Sequence, residues 1–223
     1  MEPAAVLAAW SGGVALVAAM VTSWAIVGPG FTWLSVGVAV MLAVPAALAG
    51  SSVLPWIGGG MLLAAAVLAR RRPAAVTLAA TAGVVMLAAA SAADEPPLLV
   101  VTAAVVLGGV TGEMLLGHWY LVDPRLPRSA LRRLCLIGLG GALADPVTAV
   151  LLGAPGAGSD AVVVTGWVVL AVTSAALMAA VWSALGERGY PAVMAATGLS
   201  YLAVLTVIGL VVLGRVLVAG EVL

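Results

Sequence analysis

Residues 98–121 read LLVVTAAVVLGGVTGEMLLGHWYL, and this stretch decides the fold because an apolar run of that length can cross a bilayer as a helix. Within it lie a carboxylate, Glu113, and the only histidine of the chain, His118. An ionisable group at membrane depth costs about 3 kcal/mol on insertion scales, so it normally has a partner and a function. The stretch therefore predicts a membrane-spanning helix that carries chemistry.

The composition of the whole chain places it in a bilayer. Apolar residues make up 64% and charged residues 8% of the sequence, and the mean hydropathy is +1.25. Water-soluble domains have about half apolar and about a quarter charged residues. We therefore expect an all-α, polytopic integral membrane protein that forms a single transmembrane domain over residues 1–223. The net charge is zero, which gives no reason to expect nucleic-acid binding.

Apolar stretches separated by turn or charge signals predict eight transmembrane helices. They cover residues 4–27, 32–50, 53–69, 74–93, 98–121, 131–153, 161–185 and 191–218. The separation between the second and third stretches is the weakest, since it consists only of residues 50–52. A count of seven is therefore the fallback.

The nine basic residues are all arginine, and their placement predicts the orientation. Eight of them follow the third, fifth and seventh helices, whereas the opposite side carries mainly acidic residues: Glu2, Asp94, Glu95, Asp160 and Glu221. By the positive-inside rule, the arginine-rich side is cytoplasmic and both termini are not. The Ala-, Gly- and Arg-rich composition indicates a bacterial genome, so we expect a multi-pass protein of the bacterial inner membrane.

Glu113 is the first candidate functional residue. Positions three or four residues apart share a helix face, which places it in one stripe with Gly109, Gly117 and Tyr120. Small residues let neighbouring helices approach closely, so the carboxyl group should point into the protein and away from lipid. Desolvation there favours the neutral form, which suits a proton-exchanging group. The alternative is a neutral carboxyl group that only joins helices by hydrogen bonds.

His118 and Tyr120 form the second candidate group, at the cytoplasmic end of the same helix. An aromatic-rich helix end is typical of the headgroup belt, so an interfacial histidine is one interpretation. The other is a proton-entry residue or a contact to a quinone headgroup, because imidazole exchanges protons near neutral pH. Tyr201, near mid-depth on the last helix, is predicted to join such a path.

Asp145 precedes Pro146 inside the sixth predicted helix, and it is the second candidate proton-exchanging residue. Proline frees a backbone carbonyl, and a kink beside a carboxylate is typical of broken-helix transport sites. A packing role for Asp145 is the alternative. Counting residues from the helix ends places Asp145 and Glu113 within a few Å of each other along the membrane normal. Arg215 is interpreted as a snorkelling anchor rather than as a partner of Asp145.

The loop after the fifth helix is basic. Its arginines, Arg125, Arg128, Arg132 and Arg133, suit anionic lipid headgroups. Contact with a cytoplasmic partner is the other interpretation.

The sequence lacks the motifs of metal-dependent, Schiff-base, hydrolase and phosphate-loop enzymes. The single cysteine and histidine give no metal site, the absence of lysine excludes Schiff-base chemistry, and no hydrolase or phosphate-loop motif occurs. An enzyme acting on its own is therefore not expected.

The favoured function is a membrane subunit that handles protons or quinone in a larger energy-transducing complex, with other membrane or redox subunits as partners. No cofactor is specified outright; a quinone would suit these residues. A small proton-coupled transporter or channel and a structural or assembly subunit are the alternatives.

Overall fold

The computed structural model describes residues 3–93, 95–156 and 158–220. Within these residues the chain forms eight α-helices, and each begins and ends within four residues of its predicted position. They are α1 (Pro3–Ser23), α2 (Pro29–Ala49), α3 (Leu54–Val67), α4 (Arg72–Ser91), α5 (Pro97–Tyr120), α6 (Arg128–Leu151), α7 (Ala161–Ala184) and α8 (Tyr190–Ala219). The predicted all-helical class is confirmed. Glu2, Asp94 and Glu221 lie outside the described residues.

Proline and aspartate explain where many of the helices begin. A proline occupies the first turn of α2, α3, α4, α5 and α8, where its missing N–H would have had no helical partner. Asp160 caps α7, accepting a hydrogen bond from the amide of Val162 at 2.6 Å. Inside α6, Pro146 does not end the helix, which continues to Leu151.

Seven of the described helices are long and apolar enough to cross a membrane, as expected of a multi-pass membrane protein. The exception is α3, which has 14 residues and is therefore about 21 Å long. That length falls short of a hydrocarbon core of about 30 Å. Among the described residues there are thus eight helices, of which seven are long enough to span the hydrocarbon core and α3 is shorter.

The helices form two four-helix units with the same internal packing. In the first unit α1 and α3 each pack against α2 and α4, and in the second α5 and α7 each pack against α6 and α8. The units meet along α1 and α5. There Gly108 lies against Gly13, and Gly112 lies against Val17, so the two helices run in the same direction. A Cβ atom on Gly108 would overlap the backbone of Gly13, which is why glycine is required at this crossing.

Candidate functional site

The central helix α5 positions Glu113. It packs against α1, α6 and α8, and glycines on its surface set each contact. Gly109 lies against the backbone of Gly138 on α6, and Gly117 lies against the side chain of Thr197 on α8. Because neighbouring helices come this close, the side chain between the two glycines is enclosed by protein. The predicted orientation of Glu113 toward the protein interior is confirmed, with an exposed fraction of 0%.

The carboxyl group of Glu113 has no hydrogen-bond partner among the described residues, and this holds for both oxygens. The hydroxyl of Ser200 on α8 faces it but donates to the carbonyl oxygen of Thr197 at 2.9 Å. The thiol of Cys135 on α6, another neighbour, donates to the carbonyl oxygen of Met178 at 3.2 Å. A buried carboxylate without a partner is strongly disfavoured, so this environment favours the protonated form of Glu113.

Asp145 has a different environment, a complete ion-pair network. Its Oδ2 accepts a hydrogen bond from Arg215 Nη1 at 2.8 Å, and its Oδ1 accepts one from the Thr102 hydroxyl at 2.8 Å. The second guanidinium nitrogen of Arg215 donates to the carbonyl oxygen of Leu99 at 2.6 Å. The side chains of Arg215 and Asp145 are only 3% and 0% exposed. The network therefore ties α5, α6 and α8 together.

This network corrects two predictions. Arg215 is not a snorkelling anchor; it is a buried partner of Asp145, because α5 and α6 supply acceptors that satisfy its charge inside the bundle. Glu113 and Asp145 are also not close together. Asp145 lies beside Thr102, and Glu113 follows eleven residues later on α5, which corresponds to about 16 Å along the helix. The residue count assumed a span of about 30 Å, whereas α5 and α6 have 24 residues each and are therefore about 36 Å long.

Glu95 lies in the connection before α5, near the Arg215–Asp145 pair. Partial burial raises the pKa of its carboxyl group above its ordinary value, although the positive charge of Arg215 acts in the opposite direction. The negative charge of Asp145 adds to the upward shift. The charges of Arg215 and Asp145 thus affect the pKa of Glu95, which lies outside the helices.

His118 and Tyr201 come together on the outer surface of the bundle. The Tyr201 hydroxyl lies 3.4 Å from His118 Nδ1, and both side chains are exposed. This pair joins α5 to α8. Tyr201 directly follows Ser200, whose side chain faces Glu113 from the inner side of α8. Tyr120, by contrast, is buried and its ring centre is 6.4 Å from that of Tyr190. Of the three predicted headgroup or proton-entry residues, only His118 and Tyr201 therefore face outward.

The arginines after α5 contact other parts of the protein. Arg128 donates to the carbonyl oxygens of Glu187 and Gly189 in the connection between α7 and α8. Arg132 lies 4.8 Å from the centre of the Trp182 ring. The hydrogen bonds of Arg128 and the cation–π contact of Arg132 hold the neighbouring ends of α6, α7 and α8 together.

The two remaining arginines of this loop differ in exposure. Arg133 lies 5.7 Å from the centre of the Trp24 ring, whereas the side chain of Arg125 is 92% exposed and pairs with Asp123 at 3.2 Å. The hydrogen bonds from Arg125 hold the pKa of Asp123 below its ordinary value. Contact with lipid or with a partner remains a prediction for these arginines, and Arg125 is the freest to make it.

Sequence reasoning did not identify Thr102, and it weighed the pairing of Arg215 with Asp145 but preferred a snorkelling anchor. A signal was present for Arg215, because an arginine several residues inside an apolar helix needs an acidic partner. Thr102 has no comparable signal, since hydroxyl groups in apolar helices often bond to their own backbone. Among the described residues, no group of three or more His, Cys, Asp or Glu side chains is placed to hold a metal ion.

No protein-family model matches this chain, and no characterised protein or solved structure shows significant similarity to it.

Proposed function

We propose that this protein is an integral membrane subunit that handles protons or quinone within a larger energy-transducing complex of the bacterial inner membrane. The observation that carries the proposal is the carboxyl group of Glu113, fully buried at the centre of the bundle and without a hydrogen-bond partner among the described residues. A protonated carboxyl group held in this way can release and regain a proton when a donor or acceptor reaches it. In the proposal both termini face away from the cytoplasm, as the arginine distribution indicates.

His118 and Tyr201 supply the outer end of the proposed proton path. Their exposed ring nitrogen and hydroxyl, 3.4 Å apart, can hydrogen-bond the carbonyl oxygens of a quinone headgroup that approaches from the lipid. Ser200, adjacent to Tyr201 in sequence, faces Glu113 on the inner side. A rotation of its hydroxyl away from Thr197 would let Ser200 donate a hydrogen bond to the buried carboxyl group.

Asp145 has a structural role in this proposal. Both its oxygens are occupied by hydrogen bonds from Arg215 and Thr102, and it lies about 16 Å from Glu113 along α5. Its predicted role as a second proton-exchanging group finds less support in the geometry than the alternative that it holds helices together. Glu113 is therefore the single proton-exchanging residue that the proposal requires.

The experiment that tests the proposal combines co-purification with a charge-neutral variant. The protein is purified in a gentle detergent from its native membrane, and bound partners and quinone are identified by mass spectrometry. We expect stoichiometric redox subunits or quinone, and loss of the coupled activity in Glu113→Gln but not in the matched surface variant Asp123→Asn. A homo-oligomer without either, or an active Glu113→Gln complex, would contradict the proposal.

One observation favours a second candidate, a small proton-coupled transporter. The two four-helix units have the same helix order and packing, and α1 and α5 run in parallel across their interface. Repeats related by an axis along the membrane normal occur in several transporter folds. In this alternative Glu113 couples proton movement to rocking of the units, and the purified protein alone, reconstituted in vesicles, would carry the flux.

A further inference from the structure

A cavity of about 370 Å³ opens at one end of the first four-helix unit. It lies where α1 and α3 end and where α2 and α4 begin, on the arginine-rich side of the protein. Its volume is within the range of about 300 to 1,000 Å³ that is typical of small-molecule sites. Polar side chains from α1, from α2 and from the segment that leads into α4 converge on it.

Two arginines give the cavity its charge. Arg70 and Arg72 both line it, whereas Arg71, between them, does not. Among the described residues neither arginine forms an ion pair, and no acidic side chain lines the cavity. Two guanidinium groups without a carboxylate leave a site with two positive charges. This suits a phosphate group, whose charge at neutral pH is about −1.5 to −2 in a monoester and smaller in a diester.

Two threonines form the inner wall of the cavity. Thr22 and Thr32 are 3% and 2% exposed, and their hydroxyl oxygens are 3.2 Å apart. One hydroxyl donates to the other, so the hydrogen of the second has no acceptor among the residues that the structure describes. A buried hydroxyl donor without an acceptor costs free energy. An anionic oxygen in the cavity would accept this hydrogen.

The start of α2 adds a third favourable element. Gly28 caps the helix without a side-chain hydrogen bond and lines the cavity. The positive end of the helix dipole therefore faces the same space as the two arginines. Guanidinium groups, a hydroxyl donor and a helix N-terminus are together suited to a phosphate group, which has several acceptor oxygens.

We propose that this cavity binds a phosphate group, carried either by the headgroup of an anionic phospholipid or by a small phosphorylated solute. Arg70 and Arg72 neutralise its charge, and the Thr22–Thr32 pair donates a hydrogen bond to it. This site is separate from Glu113 and does not depend on the function proposed above.

The test measures phosphate binding by the full chain in a phospholipid-free detergent. Glycerol 3-phosphate is titrated calorimetrically, and retention of phosphatidylglycerol or phosphatidylcholine with matched acyl chains is followed by native mass spectrometry. The variants are Arg70→Gln and Arg72→Gln. Arg71→Gln is the matched control, because it removes the same charge from the same segment without changing the cavity.

We expect wild-type protein to bind glycerol 3-phosphate or to retain phosphatidylglycerol in preference to phosphatidylcholine. Arg70→Gln and Arg72→Gln should each bind that ligand about tenfold more weakly, the usual effect of losing one charge-assisted hydrogen bond. Arg71→Gln should bind like wild type. Binding of glycerol 3-phosphate identifies a solute site, and selective retention of phosphatidylglycerol alone identifies a lipid site. The proposal would be overturned if glycerol 3-phosphate does not bind and phosphatidylglycerol is retained no better than phosphatidylcholine. Equal losses in all three variants would also overturn it, since they indicate only surface attraction.

Discussion

Replacing Glu113 with methionine should stabilise the protein. The side chain is completely buried and its two oxygens lack hydrogen-bond partners among the described residues, a condition that costs about 1–3 kcal/mol. Methionine has a similar length, no polar oxygen and enough flexibility to fill the same space. We therefore expect a gain of about 1–3 kcal/mol in the free energy of unfolding. For a chain of this size that raises the unfolding temperature by roughly 2–12 °C.

The assay is thermal unfolding in a mild detergent, followed by tryptophan fluorescence. Glu113→Gln is the control, since it keeps a buried polar group and should shift the midpoint less than methionine does. Asp145→Leu is the contrasting variant, because it leaves the buried charge of Arg215 without its partner and should lower the midpoint. If Glu113→Met also lowers the midpoint, the carboxyl group stabilises the helix packing and the reasoning is refuted.

Three further predictions follow from other contacts. Asp145→Asn should lower the unfolding temperature by roughly 6–20 °C, because breaking a buried ion pair costs about 3–5 kcal/mol. Asp123→Asn breaks an exposed pair and should leave the unfolding temperature unchanged. Equal effects of the two variants would contradict the structural role of the buried network. Gly108→Ala should destabilise the interface of the two units, because the added Cβ atom would overlap Gly13. Gly37→Ala is the control: it has open space around the added Cβ atom and should stabilise α2 by about 0.5–1 kcal/mol. An unchanged unfolding temperature in Gly108→Ala would contradict the close crossing of α1 and α5. The pKa of Glu95 is raised in the folded state above its ordinary value of 4.5, so the folded protein binds this proton more tightly than the unfolded chain does. The contribution of Glu95 to the free energy of unfolding therefore falls as the pH rises from 4.5 through the raised pKa. Glu95→Gln should remove that slope from a series of unfolding temperatures against pH, and an unchanged slope would contradict the shift.

The helices could be predicted closely from the sequence because bilayer thickness fixes the length of an apolar run and because proline and charged residues mark its ends. The inward orientation of Glu113 was also predictable, since helical periodicity places it between glycines. The choice between pairing with Asp145 and snorkelling was not predictable for Arg215, because a pairing between helices depends on their relative depth and tilt. A count along one helix does not contain that information, and it placed Glu113 and Asp145 too close together. The contacts of Arg128 and Arg132 were missed for the same reason.

In the proposed function, Glu113 holds an exchangeable proton at membrane depth. Infrared difference spectroscopy of the purified protein, transferred from H₂O to D₂O, tests it most directly. We predict a carbonyl band of a protonated carboxyl group that shifts on exchange into D₂O and is missing in Glu113→Gln. A spectrum in which Glu113→Gln removes no such band, or a band that does not shift even after prolonged incubation in D₂O, would contradict the claim.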